Sequence, residues 1–537
     1  MNPNLLSILK KTTYFLGALF ISSCGSTAAI LSTPIENIDV IPLKVIELSE
    51  SEEKQWSHLD LITDTIPGIS LHKAYKELVK PKSKTVIVAV IDSGIDIDHE
   101  DLRGNIWVNS GEIPNNGKDD DNNGYIDDIN GWNFLGDAVN EQLEYVRLVA
   151  SGDTSHPRYA EAEDMLKKER ESTMRSKVQY SGILEQLTAS NTAVIDHLKK
   201  SDYTKEDVNS ISTSDETLLR HVSVIKQSYG FGFESIPEMM KELNRGLKSL
   251  NERLDYKLNV DFDGRSIVGD NPNDFNDRNY GDNDVSARSG RTHGTHVSGI
   301  IAAKRHNGIG MNGVANNVKI MAIRNTPSGD EYDKDVALAV YYAVDNGAKV
   351  INMSFGKQFS PHSDWVRDAI AYAAEKDVLI VSASGNDGEN TDQINYFPND
   401  QINNGEEVSD TFLKVGASEP RYGSTLVADF SNYGKSTVDV FAPGSQIYST
   451  YPKNEYEFAS GTSMASPLVA GVAALLFSQY PKLSAVQVKQ ILMNSGIAIN
   501  KKTALKGGTI VPFSDLSKSG KLVNVYNALL MANKLSK

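Results

Sequence analysis

The amino-acid sequence predicts an α/β fold, a parallel sheet with helices on both faces. Runs of β-branched and apolar residues recur along the chain, and a strand that is apolar at every position is typical of a parallel sheet buried on both sides. Helical patterns lie between several of these runs, and strand–helix–strand repetition favours right-handed parallel crossovers. The apolar runs cover 86–91, 318–323, 349–353, 378–382 and 412–416, and two of the helical patterns cover 334–346 and 363–376.

Residues 138–260 interrupt this rhythm and predict a helical insertion. The segment is highly charged, lacks β-branched runs and has apolar residues at helical spacing. Ser235 and Pro237 are suitable residues to begin one of its helices. The alternative is a disordered, charged linker. The apolar stripe of that helix consists of Met239, Leu243, Leu247, Leu250 and Leu254.

Composition and charge exclude several classes of protein. The 537 residues are 40% hydrophobic and 23% charged, which is ordinary for a globular protein and excludes a collagen or a multi-span membrane protein. The formal net charge of −16 offers no field to hold a phosphate backbone, so no nucleic acid is expected as a partner. With a single cysteine, the chain forms no intrachain disulfide and no cysteine metal cluster.

The first 24 residues predict an export signal. Two lysines precede an apolar run that is too short to span a bilayer stably. The following Ile-Ser-Ser-Cys resembles a bacterial lipoprotein box, which implies that Cys24 is acylated and becomes the first residue of the mature protein. The alternative is ordinary cleavage near 27–29 with loss of Cys24. Residues 25–55 are expected to be a tether. The expected location is the cell envelope, in the periplasm or outer membrane, with membrane contact only through the lipid anchor; the alternative is secretion.

Three short segments carry the residues of a nucleophilic active site. Asp92 ends the first apolar run in Ile-Asp-Ser-Gly, His293 lies in Thr-His-Gly-Thr-His, and Ser463 lies in Gly-Thr-Ser-Met-Ala-Ser-Pro. A serine hydroxyl is a poor nucleophile at neutral pH and needs a base within hydrogen-bonding reach. In the chain order Asp, His, Ser, these segments resemble the subtilases, the subtilisin-like serine proteases.

The resemblance implies a role for each of these residues. Ser463 would be the nucleophile and His293 the general base and then the acid, while Asp92 would orient and stabilise the imidazole. The helix after Ser463 would direct its dipole and a backbone N–H at the oxyanion. Asn386, in Ser-Gly-Asn-Asp-Gly, matches the family's oxyanion segment and would supply the second donor.

The resemblance also implies a substrate-binding cleft. The strand end at 352–356 resembles the family strand whose backbone pairs with an extended substrate. Together with the segment at 384–385, it is expected to wall the pocket for the residue before the scissile bond. The side chain of Phe355 has two possible roles: it narrows a neighbouring subsite, or it packs in the core. The implied substrate-binding residues are Ser354, Phe355, Gly356, Ser384 and Gly385.

An acidic loop predicts a structural calcium site. It alternates oxygen-bearing residues around a glycine turn, as in the first nine positions of a calcium loop, although Asn130 stands where an EF-hand has its bidentate glutamate. The alternative is a solvated acidic turn. The predicted ligands are Asp119, Asp121, Asn123, Tyr125 through its carbonyl, and Asp127. A second candidate cluster consists of Asp270, Asn273, Asp274, Asp277, Asp282 and Asp284.

The predicted catalytic domain comprises 56–137 and 261–537, with the insertion between Asp92 and His293 and therefore near the cleft. The stretch between Cys24 and Trp56 is far shorter than the folding pro-domain of many subtilases. Maturation is therefore expected either to proceed without one or to use the insertion in part of that role.

The sequence thus predicts an exported serine endopeptidase that hydrolyses peptide bonds in proteins or peptides through an acyl-enzyme. The alternative is a surface lipoprotein that binds a partner through the helical insertion, on an inactive protease scaffold. Oligomeric state and cleavage preference have no signal in the sequence.

Overall fold

The computed structural model describes residues 47–81, 83–287, 292–402 and 405–536. The predicted export signal and Cys24 lie outside the described residues. The part of the predicted tether that is described contains a short helix at Glu50–Glu53, capped by Ser49. Directly after it, Trp56 is 1% exposed, and its indole N–H donates to the carbonyl of Ser445 (3.0 Å).

The core of the fold is a nine-stranded sheet, counted over the described residues. Its order is β10-β13-β7-β6-β5-β4-β1-β3-β2, and every neighbouring pair is parallel except β10 and β13. The strands are β1 (Val86–Asp92), β2 (Gly131–Asn133), β3 (Val318–Arg324), β4 (Val350–Met353), β5 (Leu379–Ala383), β6 (Phe412–Ser418), β7 (Val440–Pro443), β8 (Ile447–Tyr451), β9 (Glu455–Ala459), β10 (Ile497–Ala498), β11 (Lys502–Ala504), β12 (Ile510–Pro512) and β13 (Lys521–Leu522).

Helices cover both faces of this sheet, as the sequence predicted. The helices of the described residues are α1 (Glu50–Glu53), α2 (Leu71–Glu77), α3 (Glu144–Ser151), α4 (Tyr159–Leu198), α5 (Lys205–Ser210), α6 (Glu216–Ser228), α7 (Ile236–Glu252), α8 (His293–Ala302), α9 (Asp333–Asp345), α10 (Ser363–Glu375), α11 (Thr462–Gln479), α12 (Ala485–Ser495) and α13 (Val525–Leu535).

Strand β1 explains why the predicted runs are apolar throughout. It lies between β3 and β4, and its side chains alternate between two separate cores. Val88 and Val90 join the core under α8 and α11, whereas Ala89 and Ile91 join the core under α9 and α10. Because successive side chains of a strand point to opposite faces, a strand covered on both sides needs apolar residues at every position.

Helix α11 is long and apolar enough to cross a membrane, but it lies in the core. In its most apolar stretch, 94% of the residues are buried inside the protein. It packs along β4, β5, β6 and β7, and it carries Ser463 at its second position.

The segment predicted as an insertion contains helices α3 to α7. At 1.5 Å per residue, the 40 residues of α4 span about 60 Å. Helix α7 begins after Ser235, whose hydroxyl accepts a hydrogen bond from the N–H of Glu238 (3.3 Å). The distal helices share a small core of their own, which includes Leu187, Val194 and Ile225.

The root of this segment, residues 139–142, pairs with the main body through a short parallel bridge. The N–H of Ser328 donates to the carbonyl of Val139 (2.8 Å), and the carbonyl of Ser328 accepts from the N–H of Glu141 (3.1 Å). The N–H of Asp330 donates to the carbonyl of Gln142 (3.1 Å). The strand-like segment 328–330 therefore has one edge occupied by the root.

A buried ion network fixes helix α3 on the same part of the body. Lys357, 2% exposed in its side chain, contacts Glu144 (2.7 Å) and Asp333 (3.0 Å) and donates to the carbonyl of Glu331 (2.6 Å). Arg147 pairs with Glu144 and donates to the carbonyl of Glu331 (3.2 Å). Burial alone would raise the pKa of Glu144, but the charges of Arg147 and Lys357 lower it to about 2.

We predict that Lys357→Met destabilises the protein by roughly 3–5 kcal/mol, because it leaves carboxylates buried without one of their cations. Equilibrium unfolding in urea measures this loss. The control is Lys54→Met, which removes an exposed pair with Glu50 (2.7 Å) and should leave the midpoint unchanged. Equal effects of the two substitutions would contradict the assignment of a structural role to the buried network.

Candidate active site

The carboxyl end of β1 brings Asp92 to the first residue of α8. Nδ1 of His293 lies 2.8 Å from Oδ1 and 3.0 Å from Oδ2 of Asp92. The Asp92 side chain is 2% exposed, and its Oδ1 also accepts the N–H of Ser93 (2.7 Å). A methyl group on Gly294 would lie 2.4 Å from the carbonyl oxygen of Gly94, so the glycine after the histidine is what lets α8 approach the strand end.

The imidazole of His293 has a buried carboxylate on one side and the cleft on the other. Its side chain is 38% exposed. Burial by itself would lower the pKa of His293, but the charge of Asp92 and the hydrogen bond to it outweigh burial, so the pKa is raised. The carboxylate thus favours the tautomer with hydrogen on Nδ1 and stabilises the protonated ring.

Ser463 lies on the opposite side of the same cleft. Pro467, four residues later in α11, has no N–H to bond the carbonyl of Ser463, and the hydroxyl of Ser354 donates to that carbonyl instead (3.0 Å). Oγ of Ser463 donates to the carbonyl of Ser354 (3.0 Å) rather than to His293. Hydrogen bonds between catalytic groups are often long or unformed without a substrate.

Asn386 is exposed to the cleft, and its amide is held in one orientation. Its Oδ1 accepts from the N–H (2.8 Å) and the hydroxyl (3.0 Å) of Thr462. The carbonyl side of the amide is therefore occupied, and the NH2 group remains for another partner. A methyl group on Gly461 would lie 3.6 Å from both Nδ2 of Asn386 and the backbone N of Ser463. These two donors consequently border one common space.

The cleft that joins these residues has a volume of about 500 Å³. Four of the five predicted substrate-binding residues line it: Ser354, Phe355 and Gly356 from one wall, and Gly385 from the opposite wall. Phe355 also packs against the core under α9 and α10, so both roles considered for it are compatible with its position.

Ser384 differs from the other predicted wall residues. Its side chain is fully buried, and its hydroxyl donates to the carbonyl of Asn432 (3.0 Å). The backbone N–H of Ser384 donates to the carbonyl of Val415, and the carbonyl of Ser384 accepts from the side-chain amide of Asn432. Since a strand alternates its faces, Ser384 faces the core while Gly385 faces the cleft.

Several cleft residues carried no recognisable signal in the sequence. Lys257 comes from the end of the helical segment, Asp330 and Glu331 come from the loop before α9, and Tyr396 comes from the loop after β5. Burial raises the pKa values of Asp330 and Glu331. Thr462 had a signal, since it lies within the serine motif, but its partner became identifiable only when Asn386 was brought beside it.

The acidic loop brings together only part of the predicted calcium ligands. Within the described residues, oxygen atoms of Glu112, Asp119 and Asp121 lie within 4.8 Å of one another. The carboxylate of Asp127 instead accepts the N–H groups of Asn116 (3.1 Å) and Gly117 (2.8 Å). Glu112 precedes the loop pattern and was therefore missed. Three convergent carboxylates fit the oxygen preference of calcium.

The second acidic cluster does not converge in this way. Asp270 is buried in ion pairs with Arg265 (2.6 Å) and Lys334, and Arg265 also pairs with Asp335 (2.6 Å). Asn273 contacts His362 instead (3.0 Å). Asp270 thus belongs to a charge-balanced network with Arg265, five residues earlier, and with Lys334 of α9, whose position the sequence could not reveal. Calcium at the other members of the cluster stays a prediction.

His296, three residues after His293, is part of the packing rather than a metal ligand. It is 3% exposed, and its Nε2 lies 3.1 Å from the carbonyl oxygens of Ile447 and Glu457. Burial lowers its pKa to about 4.

Comparison with known proteins finds several bacterial proteins to which part of this chain is similar. The chain is 42% identical over 227 residues to the Thermophilic serine proteinase of Bacillus sp. (strain AK1), covering 42% of this chain and 50% of that protein. It is 41% identical over 199 residues to Thermitase of Thermoactinomyces vulgaris, covering 37% and 65%. It is 39% identical over 251 residues to the Cell wall-associated protease of Bacillus subtilis (strain 168), covering 47% and 24%.

In each case the chain spans less than two thirds of the relative's length. The family model covers more of the chain: the model of the subtilase family matches residues 83–515, which include all three motifs, every strand of the sheet except β13, and the helical segment. The chain therefore belongs to the subtilase family.

Proposed function

We propose that this chain is a serine endopeptidase that hydrolyses peptide bonds in proteins through an acyl-enzyme on Ser463. The observation that carries the proposal is the buried Asp92–His293 pair on one side of a cleft, with Ser463 and Asn386 on the other. Its serine protease relatives support the same reaction class.

In the proposed reaction, Nε2 of His293 removes the proton from Oγ of Ser463 as Oγ attacks the carbonyl carbon of the substrate. His293 then gives that proton to the leaving amine. Asp92 stabilises the imidazolium between these steps because its carboxylate is already hydrogen-bonded to Nδ1. Water then attacks the carbonyl carbon of the acyl-enzyme while His293 removes its proton. His293 returns that proton to Oγ of Ser463 as the acyl bond breaks and the acid product leaves.

The proposed oxyanion hole consists of Nδ2 of Asn386 and the backbone N–H of Ser463. Both border one space next to Gly461, and Thr462 holds the Asn386 amide with its donor side unoccupied. Donors fixed in advance need no reorganisation when negative charge develops on the carbonyl oxygen, which is the source of their effect on rate.

The substrate backbone is proposed to bind as an extended strand against segment 328–330. Ser328 and Asp330 direct their hydrogen bonds to the root of the helical segment. Neither backbone group of Gly329 has a hydrogen-bond partner within the described residues, and Gly329 lines the cleft. Because a strand alternates its bonding edges, Gly329 offers its groups to the free edge, where a peptide can pair.

We further propose that Glu112, Asp119 and Asp121 hold a structural calcium ion. The proposal rests on their convergence and on their all-oxygen chemistry. Export and acylation of Cys24 remain predictions from the sequence. The alternative, a binding protein on an inactive scaffold, is favoured by no specific contact of the helical segment.

The first test is labelling with a fluorophosphonate probe, with casein digestion in parallel. We expect the wild-type protein to be labelled and to digest casein, and Ser463→Ala to do neither while it remains folded, since Ser463 is half-buried and the change is small. A folded, calcium-loaded wild-type protein that does not react would contradict the proposal.

The second test concerns Asn386. We expect Asn386→Ala to lower kcat by about 10²–10³-fold with little change in KM, because the lost donor acts on the transition state. Steady-state kinetics on a peptide substrate measure the effect. Asn244→Ala, an exposed position on α7, is the matched control. If both variants retain wild-type kcat, Asn386 is not an oxyanion donor.

The third test concerns calcium. After dialysis against a chelator, added calcium should stabilise the wild-type protein by about 2.7 kcal/mol at 100 times its Kd. Thermal unfolding should register no such gain in the double variant Glu112→Gln, Asp121→Asn. Asp274→Asn, in the second acidic cluster, should keep the full gain. A gain retained in the double variant would exclude this site.

A further inference from the structure

Tyr396 occupies an unusual position in the cleft. It comes from the loop after β5, carries no motif, and lines the cleft together with Gly356 and Gly385. These glycines belong to the two facing walls that the family resemblance assigns to the residue before the scissile bond. The position of Tyr396 therefore bears on which side chain that pocket accepts.

One edge of the Tyr396 ring is in contact with both walls. A methyl group on Gly356 would lie 2.5 Å from Cε1 of the ring, and a methyl group on Gly385 would lie 2.5 Å from Cζ and 2.7 Å from Cε1. The same two ring carbons thus touch the backbone of each wall. At this depth, the space between the walls is filled by the aromatic ring, and both wall positions need glycine to admit it.

Tyr396 is fixed in this place through its hydroxyl and through its backbone. Its hydroxyl donates to the carbonyl of Gly356 (3.2 Å). The Tyr396 carbonyl accepts from Nζ of Lys414 (3.0 Å), which is 3% exposed. The next residue, Phe397, exchanges two backbone hydrogen bonds with Lys357 (2.9 and 2.8 Å), just beyond Gly356. A ring held in this way does not swing aside at low cost when a large side chain enters.

We infer that Tyr396 forms the floor of the pocket for the residue before the scissile bond and restricts that residue to small side chains such as glycine, alanine and serine. The inference rests on the proposed function and deepens it by naming the substrate class. A pocket closed by a fixed aromatic ring has no room for a phenylalanine or leucine side chain, and a misfit of even one methylene is worth about 10–200-fold in kcat/KM.

The test uses quenched fluorescent peptides that are identical except for alanine, serine, leucine or phenylalanine before the cut. The wild-type protein should cleave the alanine peptide with a kcat/KM at least about 10-fold above that of the phenylalanine peptide. In Tyr396→Ala, cleavage after phenylalanine should rise by at least about 10-fold, while cleavage after alanine changes far less. Tyr396→Val, which opens less space, should give an intermediate result.

Tyr396→Phe is the matched control, because it keeps the ring and removes only the hydrogen bond to Gly356. It should retain the preference for small residues. Mass spectrometric mapping of the cuts in casein by the wild-type protein provides a readout that needs no variant, and it should return glycine, alanine and serine before most cuts.

Active-site labelling separates the two ways in which the inference can fail. A wild-type protein that is labelled at Ser463 but cleaves equally well after phenylalanine and alanine overturns the role of Tyr396 and leaves the proposed function intact. A wild-type protein that is neither labelled nor active overturns the proposed function and this inference with it. If Tyr396→Ala does not fold, the wild-type preference and the Tyr396→Val variant still decide the matter.

Discussion

The structure depends on one buried carboxylate at the end of a strand that has no solvent on either face. Asp92 is 1% exposed, and a charge in that position is tolerable only with a partner that bonds it. His293 provides that partner, and the helix that carries it approaches closely because Gly294 has no side chain. The same constraint raises the pKa of His293 and fixes its tautomer, so the stability of the strand end and the chemistry of the imidazole have a common origin.

On the opposite side of the cleft, the backbone carbonyl of Ser463 receives no hydrogen bond from its own helix. Pro467 cannot bond the carbonyl of Ser463, and Ser354 replaces the missing donor. The cleft wall that contains Ser354 and the helix that carries Ser463 are thereby joined directly. The helical segment is joined to the body beside the cleft through backbone pairing at 328–330 and through the buried charges of Lys357 and Arg147. Its root therefore supports the cleft, while the distal helices pack on a core of their own.

The sequence predicted the sheet, its two covered faces and the four residues Asp92, His293, Ser463 and Asn386, because apolar runs and short motifs are local. It was less informative for the metal ligands. Glu112 lies before the loop pattern and joins Asp119 and Asp121 only when the chain folds back. Asp270 is neutralised by Arg265, five residues earlier, and by Lys334, which comes from the distant helix α9. Charge balance of this kind depends on which segments meet, and no spacing rule records it.

By itself, the sequence determined the family and the order of the apolar strands along the chain, and it predicted the nucleophile, since periodicity and motif composition are local and need no coordinates. The tertiary structure alone decided the shape of the cleft. Only folding brings Tyr396 between Gly356 and Gly385, and only folding pairs one edge of segment 328–330 with the root of the helical segment. The physical reason is that a pocket is defined by close contacts between residues far apart in the chain, and those contacts are set by packing rather than by local preference.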